Sequence, residues 1–173
     1  MSMKIRSLIA AFAISTLSTT AIAQDAAKEE PAGPPAGEPA VFTSEDSVRI
    51  NGQTINYDVT AKETYFFNEK DAPDASIFSF TYLKKGVADP TTRPVMFVFN
   101  GGPGSASLWL HMGVIGPKIV DVATDGPQDD GAPPYPIIDN PHSMLDVADL
   151  VFIDPIGTGY SRVLEDGDAA DHW

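Results

Sequence analysis

The sequence contains no cysteine, which excludes disulfides and thiolate metal sites outright. Basic residues are scarce: 11 Lys and Arg stand against 24 Asp and Glu. That balance argues against nucleic acid, whose phosphates require a cationic face, and against anionic membrane surfaces. The acids are scattered or loop-bound, among them Asp125, Asp129, Asp130, Glu165, Asp166 and Asp168, a distribution that serves solubility. No apolar run reaches the roughly 20 residues of a membrane span. The three histidines, His111, His142 and His172, show neither H-x-x-x-H nor HExxH spacing, so no metal is expected, and no cofactor. A G-x-S-x-G nucleophile elbow is also missing. Gly159-Tyr160-Ser161-Arg162-Val163 starts as one and fails at Val163.

The amino-terminal segment reads as an address. Lys4 and Arg6 precede an apolar stretch from Leu8 to Ile14, and Ala21-Ile22-Ala23 offers small residues for cleavage before Gln24. Residues 1–23 are therefore expected to be a signal peptide. Residues 24–40, QDAAKEEPAGPPAGEPA, carry no large apolar side chain, and such a segment is expected to be a disordered linker. Residues 41–173 are enough for one domain. Export without disulfides suits a bacterial periplasmic or extracellular location, with no stable membrane insertion once the signal is removed.

From Val41 the pattern is one of strands. VRINGQTINYDV (Val48 to Val59) has two β-rich runs around Asn51-Gly52, the signature of a type I′ hairpin. Further strands are expected at Glu63 to Phe67 and at Ser76 to Leu83, with a turn between them. VMFVF (Val95 to Phe99) and LVFID (Leu150 to Asp154) are nearly continuous apolar runs, as in parallel strands covered on both faces. Between them SASLWLHMGVIG (Ser105 to Gly116) predicts a short helix with Ser105 as N-cap, closed by Gly116-Pro117. KIVDVA suggests a further short strand, and the segment from Thr124 to His142 a long loop. Strand, helical crossover and strand make a βαβ unit. An antiparallel hairpin feeding a parallel βαβ unit is the opening layout of an α/β-hydrolase, so the fold class expected is the N-terminal part of that α/β fold, with an incomplete sheet.

Asn100-Gly101-Gly102-Pro103-Gly104 follows the first apolar strand, and ligands of open α/β sheets sit beyond the carboxyl ends of the strands. Glycines there let a ligand approach the main chain closely. Amide N–H groups held in such a turn are the device that stabilises a developing oxyanion in acyl transfer, and the Asn100 amide can bond a carboxylate or carbonyl. A Walker phosphate loop fails, because no lysine follows the turn until Lys118. A dinucleotide fingerprint fails at Pro103 and Ser107. A purely structural tight turn remains open at this level.

NGGPGSASLWLHMGVIGP together with NPHSMLDVADLVFIDPIGTGYSR resembles the serine carboxypeptidase family, S10 in peptidase classification. The likeness covers Val95 to Arg162 well and Val48 to Leu83 as a strand pattern. It implies that the backbone N–H of Gly102 is one oxyanion-hole donor, and that Asn100 and the Gly101 N–H hold the C-terminal carboxylate of a peptide substrate. Asp154 to Ser161 would shape the same pocket wall. Departures are Val98-Phe99 where Trp-Leu commonly precedes the asparagine, Ser105 where cysteine is common, Val114 where an acid is usual, and Met144 where tryptophan is common.

The family's serine, aspartate and histidine lie on later strands, so the resemblance implies an N-terminal piece of an exported serine carboxypeptidase that supplies the oxyanion turn but no nucleophile, and is inactive alone. Another α/β-hydrolase such as a proline iminopeptidase-like aminopeptidase is an alternative, although those place histidine where Asn100 stands. A non-catalytic secreted binding protein is a third reading.

Overall fold

The computed structural model describes residues 36–102, 104–122 and 133–172. The expected signal peptide and most of the linker lie outside them. β1 (Val41–Ile50) and β2 (Gln53–Phe67) form a long antiparallel hairpin, in register from Val41↔Lys62 to Ile50↔Gln53. Asn51 and Gly52 take φ of 50° and 80°, the left-handed pair that a type I′ turn requires. The strand expected separately at Glu63 to Phe67 is instead the far end of β2, which runs 15 residues unbroken. No glycine or proline interrupts it, and its middle, Tyr57 to Lys62, pairs with β1 on one side and β3 (Pro73–Lys84) on the other.

β7 (Asp149–Ile153) pairs antiparallel with β3 and parallel with β4 (Val95–Val98), where Val98 lies opposite Phe152. The sheet order is β1-β2-β3-β7-β4, with β8 (Arg162–Val163) added against β3. The molecule is therefore mixed α/β, an antiparallel hairpin leading into a parallel pair. That is the N-terminal part of an α/β-hydrolase fold with an incomplete sheet.

Between β4 and β7 the helix expected from Ser105 is shorter: α1 (Leu108–Leu110) passes directly into one π-helical turn, His111–Ile115. β5 (Lys118–Val120) follows it. The stretch expected as uninterrupted loop contains β6 (Ile137–Asp139), which forms a separate two-stranded sheet with β5. Two flanking bonds extend that ladder, Asp121 N–H to Pro136 C=O at 2.8 Å and Asn140 N–H to Pro117 C=O at 2.9 Å.

One sheet face carries the core. Val48, Ile50, Tyr57, Tyr82, Leu150 and Phe152 are buried there, with Leu110 and Ile115 of the helical segment packed against them. On β4 the pleat divides the apolar run. Val98 is buried towards this core, whereas Val95 and Phe97 are 50% and 63% exposed on the other face. Among the described residues, neither that face nor the outer edge of β4 has a strand or helix against it. The expectation that VMFVF is covered on both faces is thus not met in this chain. An apolar edge strand of this kind is a template for self-pairing, so the purified chain should show concentration-dependent sedimentation that Phe97→Lys reduces. A chain that stays monomeric at high concentration would overturn this.

Candidate functional site

The chain leaves β4 at Val98 and turns through Asn100, Gly101 and Gly102, beyond the carboxyl ends of the parallel pair. Gly102 and Gly104 have φ of 74° and 89°, angles that L side chains rarely adopt. No atom lies within 4 Å of where a Cβ would sit at Gly101, Gly102 or Gly104. Backbone angle, not crowding, therefore dictates glycine at 102 and 104, and the main chain of the turn is left uncovered. Pro103 is outside the described residues. The Asn100 side chain donates from Nδ2 to Ser105 Oγ at 2.7 Å, a clasp across the loop that holds the glycines.

Ser105 is thus engaged in the clasp and does not cap the helix. The residue preceding α1 is Ser107, and it offers the helix no side-chain cap either. Its backbone N–H and its Oγ–H both donate to Asp154 Oδ1, at 2.9 and 2.8 Å. Asp154 is 4% exposed and stands just past β7. Its other oxygen, Oδ2, accepts from Tyr160 N–H at 3.3 Å. Gly159, at φ 54°, passes so close that a Cβ there would collide with the Asp154 carboxylate. The 155–161 loop is stitched throughout. Thr158 N–H and Oγ–H donate to Pro155 C=O at 3.0 and 2.8 Å. Ser161 Oγ donates to Asp154 C=O at 2.6 Å and accepts from Phe78 N–H at 2.8 Å, continuing the β3–β7 ladder by a side chain.

Ser107, His111 and Asp154 line one cleft of about 510 Å³ together with Phe80, Leu108 and Tyr160, and the trio invites comparison with a catalytic triad. The hydrogen bonding excludes it. A triad needs the serine hydroxyl on the histidine and the histidine on the acid. Here the hydroxyl is on the acid, and His111 Nε2 is bonded to Tyr82 Oη at 2.6 Å. His111 also stacks on Phe152 with centroids 4.3 Å apart. Burial lowers its pKa to about 4, against a weaker upward pull from Asp154. Burial, with Asp46 nearby, pushes Tyr82 up to about 12. His111 is a neutral core residue. Ser161, the near-miss for an elbow, is 4% exposed and bonded in both directions.

Several site-shaping contacts escaped the sequence reading. Asn140 donates from Nδ2 to the carbonyls of Val114 and Gly116, both at 2.8 Å, closing the end of the helical segment. The Asn140-Pro141 pair was visible as a motif, but its partner was not. A second cleft, about 470 Å³, adjoins the first through the shared residues Phe80 and Tyr160. Among the described residues, no group of three or more His, Asp or Glu is placed to hold a metal, and no helix is long and apolar enough to cross a membrane.

The family model for serine carboxypeptidases matches residues 53–172. Carboxypeptidase Y of Schizosaccharomyces pombe is 30% identical over 111 residues, 64% of this chain and 10% of that protein. Serine carboxypeptidase-like 36 of Arabidopsis thaliana is 31% identical over 105 residues, 60% and 20% of the two chains. Serine carboxypeptidase S10 family member 1 of Dictyostelium discoideum is 28% identical over 101 residues, 58% and 21%. The matched part of the chain spans about a fifth or less of these relatives' lengths.

Proposed function

This chain belongs to the serine carboxypeptidase family, and from that premise we propose that it supplies the oxyanion turn of an exported serine-type carboxypeptidase, which releases C-terminal residues from peptides. The observation that carries the reading is the exposed glycine turn at the carboxyl end of β4, with Gly102 at φ 74° and no atom within 4 Å of where a Cβ would sit.

In this reading the Gly102 N–H is one donor to the tetrahedral oxyanion. Asn100 and the Gly101 N–H bind the free carboxylate of the substrate. Holding the terminal carboxylate places the last peptide bond beside the nucleophile, which is what makes such an enzyme an exopeptidase. Asn100 Nδ2 gives one N–H to Ser105 Oγ, and the second N–H of the same amide is the donor for the substrate carboxylate in this reading. The resemblance places the serine, acid and histidine on later strands than those described, so the chain alone is proposed to be inactive. Residues 1–23 support export to a periplasmic or extracellular location.

The test is kinetic. In the catalytically complete gene product, Gly102→Ala forces an L side chain to a left-handed φ, at about 1–2 kcal/mol, or swings the amide away. Loss of one oxyanion donor costs about 10²–10³ in kcat, and that is the expected range, with KM little changed. Amidating the substrate's C-terminus should abolish turnover. An unaltered kcat in Gly102→Ala, or equal cleavage of amidated peptides, would sink the proposal. The reading frame beyond the Trp173 codon should encode G-x-S-x-G followed by the acid and histidine.

A further inference from the structure

We infer that Asp154 is a positioning residue for the glycine turn, its carboxylate fixing where the chain leaves the turn and hence where the Gly102 amide points. The functional consequence rests on the oxyanion reading; the anchoring itself does not.

The turn has few means of holding its own shape. Gly101, Gly102 and Gly104 have no side chains, and no atom beyond their chain neighbours lies within 4 Å of where a Cβ would sit. Its geometry must therefore be imposed from its two ends. The entry is set by the β4–β7 ladder, in which Val98 lies opposite Phe152. The exit is set two residues further along the same chain as Phe152, where Asp154 Oδ1 receives both the N–H and the Oγ–H of Ser107. Both ends are thus referenced to the carboxyl end of β7. The Asn100–Ser105 clasp then leaves only the glycine–proline segment to be defined by the backbone. A hydrogen bond to an ionised acceptor is stronger than a neutral one, and burial of Ser107 and Asp154, at 1% and 4% exposure, keeps water from competing.

The remaining carboxylate oxygen serves the neighbouring loop by accepting from Tyr160 N–H at 3.3 Å. Gly159 is bare where it meets that carboxylate, so the loop can close on it. One acceptor-only group therefore sets the glycine turn and the 155–161 loop relative to each other. Asparagine cannot replace it. Whichever way its amide faces, either Tyr160 N–H or the paired donors of Ser107 meet an NH₂ group.

Backbone ¹⁵N relaxation tests this on the full chain. In the unaltered protein the Gly101, Gly102 and Gly104 amides should have order parameters near 0.85, roughly those of rigid backbone. In Asp154→Asn they should fall below about 0.6, the flexible range, while β2 and β3 amides stay unchanged. Ser107→Ala removes one of the two bonds at little change in volume and should give an intermediate loss. Turn amides as rigid as before in Asp154→Asn overturn the proposal, as they do in Ser107→Ala should Asp154→Asn fail to fold. The readout needs no substrate. In the complete enzyme a loosened turn should lower kcat more than it alters KM. A loosened turn with unchanged kcat would leave the anchoring standing and overturn the oxyanion reading instead.

Discussion

Arg93→Ala should destabilise the chain by about 3–5 kcal/mol, the scale for breaking a buried ion pair from one side. Arg93 Nε donates to Asp149 Oδ1 at 3.0 Å, and both side chains are 10% exposed. The same guanidinium donates from its NH2 group to Leu145 C=O at 3.0 Å. Asp149 Oδ1 additionally accepts from Lys84 N–H at 3.0 Å. The pair therefore joins the entry of β4, the start of β7, the end of β3 and the turn that precedes β7. Truncating the arginine leaves a buried carboxylate with one backbone donor and strips a carbonyl of its partner. Total stabilities of domains are only about 5–15 kcal/mol, so the loss is a large share. For a chain of this size it corresponds to roughly 2–4 °C in Tm per kcal/mol. Arg93→Lys should recover part of the loss, since it keeps the charge but not the planar fork that reaches two acceptors. Replacing both partners, in Arg93→Met with Asp149→Leu, should be far milder than Arg93→Ala, because no charge is left buried alone. Urea unfolding at low protein concentration measures all three variants, and an Arg93→Ala midpoint within error of wild type would refute the argument.

Acid should loosen the core through His111. Its pKa is held at about 4 in the folded chain by burial, against about 6.5 in an unfolded one. Below 6.5 the unfolded chain takes up a proton that the folded chain resists, so stability is complete above about pH 6.5 and is lost progressively as pH falls towards 4. At 1.36 kcal/mol per unit, the contribution at stake is about 3 kcal/mol. The imidazole is stacked on Phe152 and bonded to Tyr82, so an added proton would be confined in an apolar layer. His111→Leu combined with Tyr82→Phe removes the titrating group without orphaning the phenol. The slope of unfolding free energy against pH between 4 and 6.5 should flatten in that double variant. An identical slope in wild type and variant would assign the acid sensitivity to other groups.

Much of the fold was legible because its signals are local. Asn51-Gly52 sets a left-handed pair of φ angles by itself, and the alternation of Ser76 to Leu83 belongs to a half-buried strand whatever its neighbours. The glycine turn was equally plain, because glycine takes the φ found at 102 and 104 without the penalty that other residues meet. Local signals failed where the outcome depended on a distant partner. Glu63 to Phe67 continues β2 because β3 lies alongside it. Ile137 to Asp139, exposed and flanked by proline, becomes a strand only because β5 is there to pair with it.

The sequence by itself determined the cysteine-free, acidic character of the chain, the hairpin, and the chemistry that an Asn-Gly-Gly-Pro-Gly turn can offer. Tertiary structure alone decided what the polar side chains around that turn do. The sequence offered Ser105 as a helix cap and left Ser107 without a partner, because a hydroxyl bonds to whatever donor or acceptor is brought within about 3 Å. Folding brought Asn100 to the first and, from 47 residues away, Asp154 to the second. It likewise separated a serine, a histidine and an aspartate that share one cleft into a buried anchor and a neutral core residue. Hydrogen-bond direction depends on three-dimensional placement, which residue order along the chain does not encode one neighbour at a time.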